Sequence, residues 1–167
     1  MKIFKLIFGS IIILFLILFL ISLFIPRHVR ISKTINIRST VDSIASQIED
    51  LRKWKTWYPG FDTLTIIPAD SAGGKLVGGR AGNISIQLEK NQGSTLTAVF
   101  KSNKKYPVHS GWDLITSPSR DEVTVIWYFD FKLGWYPWEK FFSLVYDRVY
   151  GEQMNQGLQN LKKNVER

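Results

Sequence analysis

The chain has 167 residues, no cysteine and a formal net charge of +8. The absence of cysteine excludes disulfides, thiolate metal sites and cysteine nucleophiles. Lysines and arginines are scattered along the chain, which favours a solvated basic surface, or one attracted to anionic lipids, over a nucleic-acid interface.

An uncharged apolar run opens the sequence. Residues Leu6 to Ile25 contain no charged side chain, and a helix of that length spans the hydrocarbon core of a bilayer, which is ~30 Å thick. A cleaved secretory signal is the main alternative, but its apolar core is roughly 7–15 residues long and ends in small residues. Here the run is followed by Pro26 and Arg27. We therefore expect an uncleaved membrane anchor over residues 1–26.

The remaining residues, 27–167, are enough for one domain with its own core. Basic residues follow the run at Arg27, Arg30, Lys33 and Arg38, and the positive-inside rule then favours a cytoplasmic domain. The lysines that precede the run favour the opposite orientation. The first predicted strand begins close to the end of the run, so we expect the domain to lie against the bilayer surface.

Alternating apolar and polar residues follow the anchor. They predict a half-buried strand from Val29 to Arg38, then a short helix capped by Ser39 or Thr40 and a tight aromatic turn over 50–59. Further strands are predicted at Leu64–Ile67, Ile84–Glu89, Thr95–Phe100, Val108–Leu114 and Val123–Phe131, with turns at 73–82, 91–93 and 117–121. Consecutive strands joined by short turns pair in antiparallel fashion.

One long amphipathic helix is predicted from Trp138 to about Val165, because apolar residues recur there at spacings of three and four. It would cover the apolar face of the sheet. Gly151 and Gly157 lie inside this helix, where each glycine costs ~1 kcal/mol relative to alanine. We expect them to permit close packing against the sheet; room for a ligand under the helix is the alternative.

Three segments occur in a characteristic order: the first strand and helix (29–44), the turn Asp50–Pro59 (DLRKWKTWYP) and the ending Gly157–Glu166. Together they resemble the START-like (SRPBCC) superfamily, particularly its polyketide cyclase/dehydrase-like bacterial members. The segment Gly78–Asn83 departs from that pattern, since it lacks the tryptophan-containing turn that many members carry. The resemblance implies an α+β helix-grip fold, in which a curved antiparallel sheet wraps around a long C-terminal helix. It also implies an apolar cavity for lipids, sterols, polyketides or similar molecules, with or without catalysis. Together with the predicted anchor, the resemblance to bacterial members leads us to expect a bacterial inner-membrane location.

No catalytic constellation is recognisable in the sequence. His28 and His109 do not form a metal-binding set, so we expect no metal, and no cofactor motif is present. His109 and Ser110 fall on opposite faces of a strand and no G-x-S-x-G motif occurs, which excludes a recognisable hydrolase triad. Lys33 shares the apolar face of its strand and is the candidate buried base, although a lysine whose stem snorkels at the sheet rim is the simpler interpretation.

Aromatic residues give the stronger indication of a binding site, because those on the strands and the helix would face one another across the sheet–helix gap. The predicted cavity residues are Phe100, Trp112, Trp127, Phe129, Phe131, Phe142, Tyr146, Tyr150 and Met154. The loop 132–138 (KLGWYPW) would form the cavity mouth or enter the headgroup layer. We therefore expect a membrane-anchored module that binds a hydrophobic small molecule or lipid. A cyclase- or aromatase-like enzyme on the same cavity and a protein-interaction domain with a filled core are the alternatives.

Overall fold

The computed structural model describes residues 2–63, 65–89, 94–116 and 122–166. The predicted turns at 91–93 and 117–121 and the strand residue Leu64 lie outside the described residues. The elements in chain order are α1 (Lys2–Leu23), β1 (His28–Ile37), α2 (Val41–Ile48), α3 (Trp54–Trp57), β2 (Ile66–Ala72), β3 (Lys75–Ala81), β4 (Ile84–Leu88), β5 (Thr95–Lys101), β6 (Val108–Thr116), β7 (Val123–Lys132), α4 (Pro137–Ser143) and α5 (Tyr146–Val165).

Helix α1 carries the apolar run. The stretch Ile3–Leu23 is long and apolar enough to cross a membrane, a property that a signal sequence near the N-terminus would share. Its apolar side chains are exposed along most of the helix, whereas Ser22 in the last turn is completely buried. The described part of the domain therefore contacts α1 only near its C-terminal end.

The seven strands form one antiparallel sheet in the order β1-β7-β6-β5-β4-β3-β2. Pairing of β1 with β7 places the first strand beside the last, with Lys33 opposite Trp127. Every second residue of β7 from Val123 to Phe131 is buried, as the period-two pattern predicts for a sheet with one dry face. The helix-grip fold class is thus confirmed.

Two expectations about the middle of the chain were wrong. Strand β2 runs through Pro68, and the glycine-rich stretch is largely strand β3 rather than turns. Proline is tolerated in β2 because this is an edge strand with an irregular register near Asp70. Position 79 of β3 requires glycine because the neighbouring strand approaches it closely: a Cβ atom there would lie 2.4 Å from Ile66 Cγ2.

The single predicted C-terminal helix is two helices. α4 ends at Ser143, and α5 begins at Tyr146 after a break. α4 packs against α1 instead of the sheet, since the Lys140 ammonium is buried and its Nζ donates a hydrogen bond to the Ser22 carbonyl at 2.7 Å. An amphipathic stripe shows that a helix has a dry side, but it does not show which partner covers that side.

A cluster of four tryptophans forms the centre of the core. Trp54, Trp57, Trp112 and Trp127 are almost completely buried and contact one another through tilted, edge-on or stacked rings. Helix α5 closes over them at Gly157, where a Cβ atom would lie 2.8 Å from Trp127 Cζ3. The geometry around Gly157 therefore agrees with the packing interpretation of this glycine.

Candidate ligand cavity

A cavity of about 430 Å³ lies between α5, the loop after α3 and the inner face of the sheet. It is lined by Tyr58, Pro59, Gly60, Phe61, Ala81, Ile84, Phe100, Ser102, Lys104, Val108, Phe129, Phe131, Tyr150 and Gln153. One end of this inner cavity is bounded by exposed side chains, among them Ile84, Lys104 and Gln153. The cavity is thus accessible from the surface at that end.

The walls of the inner cavity are mainly aromatic. Phe129 and Phe131 occupy alternate positions of β7, so both side chains project to the same face of the sheet. Phe129 contacts Phe100 at 6.1 Å between ring centroids, and Phe131 contacts Tyr150 of α5 at 5.1 Å. The side chains of Phe129 and Phe131 on β7 and of Tyr150 on α5 therefore form one apolar surface.

Few polar groups face this surface. Burial raises the pKa of the Tyr58 phenol far above its ordinary value, so its hydroxyl stays protonated and can donate a hydrogen bond. Gln153 Nε2 donates to the Pro59 carbonyl at 3.0 Å and ties α5 to the loop at the cavity rim. No Asp, Glu or His is found among the described residues that line the cavity. The arrangement suits an apolar ligand held by shape, with a small number of polar contacts.

The structure divides the nine predicted cavity residues into three groups. Phe100, Phe129, Phe131 and Tyr150 line the inner cavity. The three that lie in the solid core instead are Trp112, Trp127 and Met154. Trp54 and Trp57 of α3 pack against the rings of Trp112 and Trp127 and fill the space in front of these two residues.

Phe142 and Tyr146 lie outside the inner cavity and beside a second one. Phe142 is 60% exposed because α4 turns its buried side towards α1. Tyr146 packs on Phe131 with ring centroids 4.7 Å apart. The sequence prediction that Phe142 faces the sheet is therefore not met.

Two aromatic residues that line the inner cavity are absent from the predicted set. Tyr58 and Phe61 belong to the aromatic turn after α3, and their rings contact each other at 4.6 Å. Their clustering with Trp54 and Trp57 in the sequence was the available signal. That signal indicated a turn and gave no sign that part of the turn lines a cavity.

Lys33 lies on the inner face of β1 but lines neither cavity. Its Nζ is 2.9 Å from Asp147 Oδ1 of α5. Its stem packs against Gly151, where a Cβ atom would lie 2.7 Å from Lys33 Cε. Lys33 is thus an ion-paired residue between β1 and α5, as expected for a lysine at the rim. It lies opposite Trp127 in the sheet but lines neither cavity.

The second cavity, which we call the outer cavity, has a volume of about 520 Å³. Its lining residues are Lys104, Lys105, Tyr106, Pro107, Val108, Phe131, Lys132, Leu133, Trp138, Glu139, Phe142 and Tyr146. Lys104, Val108 and Phe131 line both cavities. The inner and outer cavities therefore adjoin along a common wall.

Solved structures with the same fold come from several bacteria. An aromatase/cyclase from Streptomyces has a TM-score of 0.61 at 13% identity, over 84% of this chain and 94% of that one. A START superfamily protein from Mycobacterium smegmatis has a TM-score of 0.57 at 15% identity, over 82% and 97%. A hypothetical protein from Helicobacter pylori has a TM-score of 0.60 at 11% identity, over 82% and 88%. At these identities the likeness shows the fold alone.

No curated protein matches the chain significantly. The family model for polyketide cyclase / dehydrase and lipid transport matches residues 28–166, which include every strand of the sheet and both C-terminal helices. The chain therefore belongs to this family.

Proposed function

We propose that the domain binds a hydrophobic small molecule or lipid in the inner cavity, and that α1 anchors the domain in a membrane. The observation that carries the proposal is the aromatic-walled space of about 430 Å³ between α5 and the sheet. Its volume falls within the ~300–1,000 Å³ that is typical of small-molecule sites. Burial of ligand surface against these rings supplies the binding free energy, at roughly 25 cal/mol per Å² of apolar area.

The inner cavity gives more support to binding than to catalysis. General acid–base chemistry needs a titratable group within hydrogen-bond reach of the substrate. The titratable side chains among the described lining residues are the two tyrosines and Lys104 at the exposed end. An enzyme of the cyclase or aromatase kind is therefore not favoured, and a filled core does not fit the space that is present.

Membrane anchoring is supported by the surface of α1. Its long apolar side chains are exposed over most of the helix length, and no element among the described residues covers them. In water such a surface would be costly, whereas in a bilayer it is already in an apolar medium. The hydrogen bond from Lys140 to Ser22 makes the last turn of α1 part of the domain structure, which favours a retained helix over a cleaved signal.

The matched substitutions Val108→Trp and Ile115→Trp test the binding site. Both residues lie on β6, but Val108 lines the two cavities whereas Ile115 is 51% exposed and lines neither. The larger ring at position 108 would occupy ligand space. A steric cost of about 1.4 kcal/mol or more would lower ligand affinity roughly tenfold or more.

Native mass spectrometry of the full chain in detergent micelles measures the outcome. We expect wild type and Ile115→Trp to carry the same additional hydrophobic mass, and Val108→Trp to lose it at an unchanged melting temperature. Lipids around α1 affect all three proteins equally and cancel in the comparison. Equal bound mass in the two variants, or none in any protein, would contradict the proposed function.

A further inference from the structure

Three lysines converge on the outer cavity. The Nζ atoms of Lys105 and Lys132 lie 5.3 Å and 5.1 Å from the centroid of the Tyr106 ring. Lys104 lines both the outer and the inner cavity. All three lysines are exposed, so the rim of the outer cavity is cationic.

This charge is not compensated by neighbouring side chains. None of the ion pairs formed by the described residues includes Lys104, Lys105 or Lys132. The one carboxylate among the described lining residues is Glu139, and its Oε2 accepts a hydrogen bond from the Gly134 backbone N–H at 2.6 Å. Three ammonium groups against one carboxylate leave a positive site that an anion would complement.

The walls below this rim are apolar. Leu133, Trp138, Phe142 and Tyr146 line the outer cavity, and Phe131 continues into the inner one. A site with a cationic rim and adjoining apolar space fits an amphiphile that has a negative headgroup and a hydrocarbon chain. A free anion would leave the apolar space unused, and a neutral hydrophobe would leave the lysines unpaired.

The position of α4 identifies a membrane as the source of this amphiphile. α4 supplies Trp138 and Phe142 to the outer cavity, while Lys140 of the same helix binds the carbonyl of Ser22 in the last turn of α1. If α1 spans the bilayer, the outer cavity lies at the level of the headgroups. Trp135 and Trp138 are more than half exposed there, as aromatic residues at membrane interfaces are.

We propose that the outer cavity binds the anionic headgroup of a membrane lipid whose acyl chain occupies the inner cavity. This inference rests on the proposed function and adds the ligand class to it. Lys104, Lys105 and Lys132 pair with the headgroup as point charges. The acyl chain passes from the outer to the inner cavity beside Val108 and Phe131, which line both. Lipid leaves the bilayer beside α4 and enters the domain without crossing water.

The test uses the delipidated full chain in neutral detergent, titrated with pyrene-labelled phosphatidylglycerol or phosphatidylcholine. Energy transfer from the core tryptophans to pyrene reports binding. We expect phosphatidylglycerol to bind roughly a hundredfold more tightly, since each of the three lysines contributes about fivefold to anionic-lipid binding. The triple variant K104Q/K105Q/K132Q should bind both lipids with the affinity of phosphatidylcholine, and K132Q alone should show part of this loss.

The control is K53Q/K55Q/K163Q, which removes the same charge from lysines that line neither cavity and form no ion pair among the described residues. It should keep the preference for phosphatidylglycerol. Equal affinity of wild type for the two lipids, or a preference that survives K104Q/K105Q/K132Q, would overturn the headgroup site and leave the proposed function intact. Displacement of the lipid by equimolar inorganic phosphate would overturn it in favour of a free anion. Absence of binding by either lipid would overturn the lipid form of the proposed function as well.

Discussion

Replacing Trp127 by alanine is expected to lower the free energy of unfolding by about 3–5 kcal/mol, the usual cost of truncating a buried tryptophan. The Trp127 side chain has 0% exposure. Its ring centroid lies 5.9 Å from that of Trp57, 5.1 Å from Tyr58 and 5.7 Å from Trp112. The substitution also removes the hydrogen bond that Trp127 Nε1 donates to the buried Ser110 hydroxyl at 2.8 Å. A loss of this size is a large share of the 5–15 kcal/mol typical of a whole domain.

Denaturant unfolding of the full chain in detergent micelles, followed by circular dichroism, measures this effect. Trp127→Phe keeps most of the apolar volume and should lower the free energy of unfolding by less. The remaining loss comes chiefly from the missing hydrogen bond and the missing edge of the indole ring. The same truncation at Trp138, which is 60% exposed, should change stability by no more than about 0.5 kcal/mol. Similar losses from Trp127→Ala and Trp138→Ala would contradict the assignment of the tryptophan cluster as the centre of the core.

Replacing Asp50 by asparagine is expected to cost about 1–3 kcal/mol at neutral pH. The Asp50 residue is 6% exposed, and its carboxylate accepts hydrogen bonds from the Arg52 side chain and from the backbone N–H groups of Arg52 and Leu76. Leu76 lies in β3, so this one carboxylate fastens the turn after α2 to the sheet. Asparagine keeps the shape and loses the charge that strengthens each of these bonds.

This loss should depend on pH. Burial by itself raises the pKa of Asp50, but the hydrogen bonds from Arg52 and Leu76 outweigh burial and leave the pKa below its ordinary value. A carboxyl whose pKa is lowered on folding stabilises the native state above its unfolded pKa of about 3.9, and that contribution disappears as the pH falls through the lower native pKa. The stability gap between wild type and Asp50→Asn should be complete at pH 6–7 and shrink below about pH 4.

Unfolding titrations at a series of pH values provide the measurement. The control is Asp62→Asn, the same change at an exposed aspartate, for which we expect less than about 0.5 kcal/mol at neutral pH. A gap for Asp50→Asn that stays constant between neutral pH and pH 3 would show that the carboxylate charge is not what fastens the turn to the sheet.

The strands that could be predicted from the sequence are those whose two faces differ. β7 has buried and half-buried residues in strict alternation because one face packs on α5, and the side-chain pattern records this. The sequence of β3 has no such alternation, because glycine has no side chain that would show which face of the strand is buried. β3 forms a strand by pairing with β2 and β4, and Ile66 of β2 leaves no space for a side chain at Gly79. A local sequence pattern does not contain these contacts between strands.

The cavity could be predicted only in outline. Phe129 and Trp127 have the same alternation on β7, yet Phe129 lines the cavity and Trp127 lies in the core. The difference arises because Trp57 and Tyr58 pack against the Trp127 ring. Which aromatic residue faces empty space depends on how distant rings fill the interior, and spacing along the chain does not encode it.

The C-terminal segment shows the same limit. The apolar stripe of α5 predicts that this helix covers the sheet, and Met154, Leu158 and Leu161 of the stripe are buried. The stripe continues into α4 in the sequence, but α4 packs on α1 through Lys140. A buried lysine that caps a helix carbonyl has no pattern of its own in the sequence.

The central claim, that membrane lipid enters the inner cavity, is tested most directly by photo-crosslinking in intact membranes. Cells that express the full chain are fed a diazirine-bearing fatty acid, irradiated, and the labelled peptides are mapped by mass spectrometry. We predict adducts on β7 and α5 at Phe129, Phe131 or Tyr150 in addition to those on α1, and loss of only the former in Val108→Trp. Adducts confined to α1, with identical maps for wild type and variant, would contradict the claim.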